Sequence, residues 1–134
     1  MSVIVKMFYQ IFLVLLTSYL SESDKIEPRV ISQEVIICEG NRNKIECPKD
    51  LLIELTSVFY GNSGSNTCGS RKNPHCYEPT ALSVVHDKCN GKNSCMLYAH
   101  YSEFGDPCPR VKKHLKVGYD CQVSKLNDTT TQEA

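Results

Sequence analysis

Four side chains of this 134-residue chain are of the types that recognise a polyhydroxylated ligand: Glu39, Tyr60, Asp106 and Lys113. Such recognition needs planar acceptors and donors that divide neighbouring hydroxyls between them, and an apolar surface for the C–H face of a ring. Asp106 is the most constrained of the four, because it lies in Phe104-Gly105-Asp106-Pro107-Cys108. Pro107 fixes its own φ and turns Asp106 away from the helical region, while Gly105 can take dihedrals closed to other residues. If Cys108 is bridged, the turn is also tied to a distant part of the chain, and its carboxylate is held ready to accept hydrogen bonds. Glu39 and Asp106 are also a pair that a glycosidase could use as acid and nucleophile. The sequence supplies nothing further for that chemistry. No nucleophile-elbow pattern surrounds Ser83 or Ser94, and His75, His86, His100 and His114 lack metal-ligand spacing. The chain reads as a binding protein and not as an enzyme.

Alternation of apolar residues indicates the elements that must position these groups. Val35 to Cys38 and Lys44 to Cys47 read as strands joined through Gly40 and Asn41-Arg42-Asn43, which puts Glu39 at the rim of a hairpin. In Leu51 to Tyr60 the residues Leu51, Ile53, Leu55, Ser57 and Phe59 fall on one face. That parity assigns Phe59 to the core and turns Tyr60 outward, beside the turn Gly61-Asn62-Ser63-Gly64. Thr80 is the expected cap of a short helix with Ala81, Leu82 and Val85 facing inward, ended by Cys89-Asn90-Gly91. Ser94 to Ala99 returns as a strand, and His114 to Cys121 completes the sheet with Leu115, Val117 and Tyr119 on one face. Lys113 shares their parity at the end of the buried face, within reach of the Asp106 loop. Lys112, His114 and Lys116 take the opposite parity and, with Arg110, predict a small basic patch, read as a solvated strand face in preference to a site for sulfated glycans or anionic lipid.

Lys6 followed by the apolar run Met7 to Leu16 and by Thr17, Ser18 and Ser21 reads as a secretory signal over residues 1–21, too short to span a bilayer. Residues 22–34 are expected to be a flexible lead-in, 35–122 the domain, and 123–134 a polar, disordered tail carrying the glycosylation sequon at Asn127. The product is expected to be secreted and extracellular, with no membrane span once the signal is removed. Charge is balanced at 15 basic against 15 acidic residues, which gives no electrostatic case for nucleic acid. Eight cysteines in a short exported chain point to four disulfides, and the absence of any Cys-x2-Cys pair argues against zinc. Spacing alone leaves all of the roughly 105 pairings of eight cysteines open.

Cys38-Glu39-Gly40, Phe59-Tyr60-Gly61, Phe104-Gly105-Asp106-Pro107-Cys108, Lys113-His114-Leu115 and Tyr119-Asp120-Cys121 together resemble the sea-urchin-egg-lectin (SUEL) type domain, the galactose- or rhamnose-binding lectin domain. The resemblance covers Val35 to Gln122. With the elements above, it implies a small disulfide-rich α+β domain: an antiparallel β-sandwich of about five strands with one or two short helices and long loops. It implies the pairs Cys38–Cys68, Cys47–Cys121, Cys76–Cys108 and Cys89–Cys95. Closing the loop from Cys47 to Cys121 is worth roughly 4 kcal/mol in the chain-entropy model. It also implies that Glu39 and Asp106 accept from sugar hydroxyls, Lys113 donates and Tyr60 lines the pocket, at one calcium-independent site without a cofactor. Three positions depart from the pattern. Tyr101 stands where such lectins have asparagine, Arg110 where they have glycine, and Asn62 where they have arginine. Tyr101 and Arg110 are therefore further candidate contact residues. The expected partners are glycans or glycoproteins. The alternative is a secreted protein-interaction module on the same scaffold, with a cell-surface protein as its partner and Tyr101 and Arg110 in contact with it.

Overall fold

The computed structural model describes residues 2–20, 30–69 and 75–124. Helix α1 (Val3–Leu20) contains the apolar run of the expected signal, and no helix among the described residues is long and apolar enough to cross a membrane. The expected cleavage region beyond Leu20, the loop residues 70–74, the tail from 125 and the Asn127 sequon lie outside the described residues.

The domain follows as β1 (Ile31–Cys38), β2 (Arg42–Glu46), β3 (Leu52–Asn62), β4 (Cys76–Tyr77), α2 (Ala81–Cys89), β5 (Ser94–Tyr98), α3 (Tyr101–Phe104) and β6 (His114–Gln122). Among the described residues these strands form two antiparallel sheets, β1-β6-β3-β4 and β2-β5, in a small disulfide-rich α+β domain. The core lies between them, where Ile37, Ile45, Ile53, Leu97, Leu115 and Val117 are buried with Ala81 and Val85 of α2. Full burial of one such aliphatic side chain contributes about 1.5–3 kcal/mol. Cys38–Cys68, Cys47–Cys121, Cys76–Cys108 and Cys89–Cys95 are bridged, the pairing that the resemblance implies.

Several local expectations are corrected. The first strand starts at Ile31, so residues 31–34 of the expected lead-in pair with Gly118 to Cys121. Gln33 keeps the parity of Ile31, Val35 and Ile37, and its side-chain oxygen accepts a hydrogen bond from the Tyr119 hydroxyl at 2.8 Å. That satisfied polar group hides the alternation. The turn after β1 is not a hairpin, because β1 pairs with β6 and β2 with β5, so Glu39 sits at a corner between sheets. Thr80 makes no side-chain cap; its hydroxyl donates instead to Glu78 Oε1 at 2.6 Å. Leu82 is exposed, and the inward set of α2 is Ala81, Val85 and Cys89 at four-residue intervals.

The largest correction is in β3. A bulge between Leu55 and Ser57 inserts one residue against β6, and one extra residue reverses the side of every side chain beyond it. Ile53 is inward before the bulge and Tyr60 inward after it, with Tyr60 completely buried and Phe59 turned to the opposite face. Phe59 packs there against His114 at 5.3 Å between ring centroids. His114 is thus buried and not part of an exposed basic patch. Burial, with a smaller contribution from Lys116, lowers the imidazole pKa and keeps the ring neutral. Lys116 pairs with Glu34 at 3.0 Å.

Gly118 makes room for the bulge. A Cβ at 118 would lie 2.5 Å from Ser57 Oγ and 2.9 Å from Thr56 Oγ1, both on short side chains with little room to retreat. Gly118→Val is expected to destabilise the domain by about 1–3 kcal/mol, read as a lower urea midpoint at unchanged slope. An unchanged midpoint would show that the bulge does not rest on this glycine.

Candidate functional site

Lys113, at the entrance to β6, holds the site together. Its ammonium lies 3.0 Å from Glu39 Oε1, 2.9 Å from Asp106 Oδ1 and 2.9 Å from the Val111 carbonyl, with the Cys108 carbonyl at 3.5 Å. An ammonium has three N–H donors. The three short contacts use all of them, and the Lys113 side chain is only 3% exposed. Burial alone would lower this group; the hydrogen bonds to Asp106 and Glu39, with their charges, outweigh it and raise the pKa above the ordinary lysine value of 10.5.

Glu39 is fixed from three directions by the same residue. Its Oε2 accepts from the Lys113 N–H at 3.0 Å, its Oε1 takes the ammonium, and its own N–H donates to the Lys113 carbonyl at 3.0 Å. The next N–H, of Gly40, donates to the Ala99 carbonyl at 2.7 Å, which ties the corner to the end of β5.

Asp106 is placed by the turn after α3. His100 caps this one-turn helix, its Nδ1 accepting from the Ser102 N–H at 3.2 Å. Gly105 ends it at φ 80°, ψ −178°, its N–H donating to the Tyr101 carbonyl at 2.7 Å. Few other residues would adopt that φ, and it swings Asp106 back toward Lys113. The Cys76–Cys108 bridge then ties the turn to β4. Asp106 Oδ2 has no partner among the described residues and the side chain is 38% exposed, so one oxygen stays open to a ligand.

These groups border a pocket of about 390 Å³ lined by Glu39, Asp106 and Lys113 together with Tyr101, Arg110, Val111 and Lys112. Five of the six expected residues therefore meet there. Tyr60 does not line the wall. It lies buried and stacked on Phe104, with ring centroids 4.5 Å apart, and its hydroxyl has no partner among the described residues. Burial raises the Tyr60 pKa, and the charges of Glu39 and Asp106 raise it further, so the phenol keeps its proton.

The stack that backs Tyr101, formed by His100, Tyr98 and Arg42, is absent from the sequence expectations. Tyr101 rests on His100 at 4.0 Å, His100 stacks on Tyr98 at 4.8 Å, and the Arg42 guanidinium covers Tyr98 at 4.3 Å. Tyr98 and His100 are two apart in sequence, the spacing of one strand face, but histidine is not among the common helix caps and α3 is a single turn. Neither gives a pattern that can be read from sequence.

Two fixed carboxylates beside an aromatic ring in a shallow polar pocket are the equipment of a carbohydrate-recognition domain, and comparison with known proteins gives the class. The model of the D-galactoside/L-rhamnose binding SUEL lectin domain matches residues 45–121, and the chain belongs to that family. It is similar to the L-rhamnose-binding lectin ELEL-1 of Echinometra lucunter, with 39% identity over 89 residues, covering 63% of this chain and 86% of that protein. It is also similar to Latrophilin Cirl of Drosophila persimilis, with 37% identity over 103 residues, and to Adhesion G protein-coupled receptor L1 of Homo sapiens, with 31% over 103 residues. Each of the latter two matches covers 74% of this chain, which spans only 6% and 7% of the respective relative. Glu39 precedes the span matched by the family model, and its place in the site rests on its contacts with Lys113.

Lys113→Met would leave two carboxylates facing each other without their cation. Because Asp106 is partly exposed, the loss at neutral pH should fall at or below the low end of the range for a fully buried pair, about 3–5 kcal/mol. Protonation relieves the repulsion left behind, so the stability gap between variant and natural chain should narrow as pH falls from 7 to 4. A gap independent of pH in urea titrations would overturn this role for Lys113. In the natural chain the raised lysine pKa stabilises the fold fully below pH 10.5, and that contribution is lost as pH rises through the higher folded value.

Proposed function

We propose that the protein is an exported, calcium-independent lectin that holds one galactose- or rhamnose-type sugar of a glycan or glycoprotein at Glu39 and Asp106. The observation that carries this reading is the shared ammonium of Lys113, which fixes both carboxylates at the pocket while leaving Asp106 Oδ2 open. Carboxylates accept strongly from hydroxyls, and preset acceptors lose little entropy on binding. Lys113 already fills the position between the carboxylates where a bound cation would sit, which favours recognition without calcium. Its donors are committed, so it acts as a positioning residue, and Tyr60 supports the floor from beneath. The two carboxylates share one cation and are not set apart as acid and nucleophile, which favours binding over glycoside hydrolysis.

The similarity to adhesion receptors, together with a Tyr101 that is 57% exposed at the rim, favours a second reading as an extracellular protein-interaction module. Inhibition by free galactose or rhamnose on a glycan array supports the lectin. Silence from the folded protein supports the module.

Asp106→Asn keeps the side-chain size while replacing one acceptor oxygen with a donor. It should weaken sugar binding tenfold or more, about 1.4 kcal/mol, while lowering the melting temperature less than Lys113→Met does, because the amide oxygen can still accept from the ammonium. If calorimetry gives the natural affinity for Asp106→Asn and for Glu39→Gln, the sugar is not held here and the lectin reading of this pocket fails.

A further inference from the structure

Arg110 adopts φ 65°, a left-handed conformation in which glycine carries no penalty and an L residue loses roughly 1–2 kcal/mol. Of the other non-glycine residues with positive φ, Asp50 is of a type that tolerates the region and Cys68 is tethered by a disulfide. Arg110 has neither reason to be there. Backbone strain at the mouth of a pocket points to a side chain kept for what it contacts. Arg110 is exposed, lines the pocket, and makes no ion pair or side-chain hydrogen bond among the described residues. Asp106, the acceptor within its reach in sequence, is engaged by Lys113. Lys112 on the same wall is exposed, its carbonyl accepting from Asn62 Nδ2 at 3.0 Å, which fixes its backbone in place. Three cations thus face two carboxylates, and two of the three are free to meet a ligand.

We propose that the preferred ligand is an acidic saccharide: ring hydroxyls on Glu39 and Asp106, and a carboxylate or sulfate on the Arg110 guanidinium, with Lys112 beside it. This rests on the lectin reading above and narrows its ligand class. The guanidinium fork matches the paired oxygens of either anion. Tyr101, backed by the stack of His100 on Tyr98, supplies a rigid ring surface beside the same anion.

Calorimetry on the full chain with methyl galactoside, methyl galacturonoside and galactose 6-sulfate tests it, alongside Arg110→Gly, Arg110→Lys and Asp106→Asn. One or both anionic ligands should bind at least tenfold more tightly than the neutral one, an advantage that shrinks with added salt. The two anionic arms separate carboxylate from sulfate. Arg110→Gly should abolish that advantage, bringing the anionic ligands to the affinity of the neutral one, without lowering the melting temperature. Arg110→Lys should retain only part of it. Asp106→Asn should weaken all three ligands. Equal affinity for neutral and acidic ligands overturns the acidic preference and leaves the lectin reading standing, whereas no binding of any of them or of methyl rhamnoside overturns both. Anion binding that survives Asp106→Asn but not Arg110→Gly overturns the shared site.

Discussion

A buried ammonium between two carboxylates is the constraint on which this structure turns. The contacts of Lys113 reach the β1–β2 corner through Glu39, the α3 turn through Asp106 and its own loop through the Val111 carbonyl. The corner at Glu39 and the stretch from Asp106 to Lys113, distant in sequence, thereby meet at one atom. Removing a charge from water is expensive, and the arrangement persists because every donor of the ammonium is used at close to ideal distance. The result is a pair of acceptors whose spacing is set by the fold before any ligand arrives. The cation that would appear from its residue type to be a ligand contact serves as the framework of the site.

The scaffold was largely legible in the residues, because its signals are local. Alternation in Val35–Cys38, Ser94–Ala99 and Leu115–Tyr119, the Cys89-Asn90-Gly91 helix stop and the parity of Lys113 depend only on near neighbours in sequence. What escaped was set by distant partners. The bulge at Thr56 is visible only against Gly118 on another strand, and without it the alternation rule places Phe59 and Tyr60 on the wrong faces. His114 followed the same error, because its cover is the Phe59 ring that the bulge turned outward. Strand β1 started four residues early because Gln33 is satisfied by Tyr119, a contact across the sheet.

At the site the pattern is similar. Residue types and the Gly105-Asp106-Pro107 turn indicated the carboxylates, and five of six expected residues line one pocket. Their division of labour depends on burial and donor count, quantities that a sequence does not state. Lys113 is saturated and Tyr60 is buried, whereas Tyr101 and Arg110 are exposed to a ligand.

The register of β1 against β6 fixes how the domain can be mounted. Cys38 lies opposite His114 at the pocket end of this ladder, and Ile31 lies opposite Cys121 at the other. At about 3.4 Å per residue the two poles are roughly 25 Å apart. Whatever is joined before Ile31 or after Cys121 therefore leaves from the pole remote from Glu39 and Lys113. A tether at either end, or at both, is attached at the pole opposite the candidate site, like a post beneath a lamp.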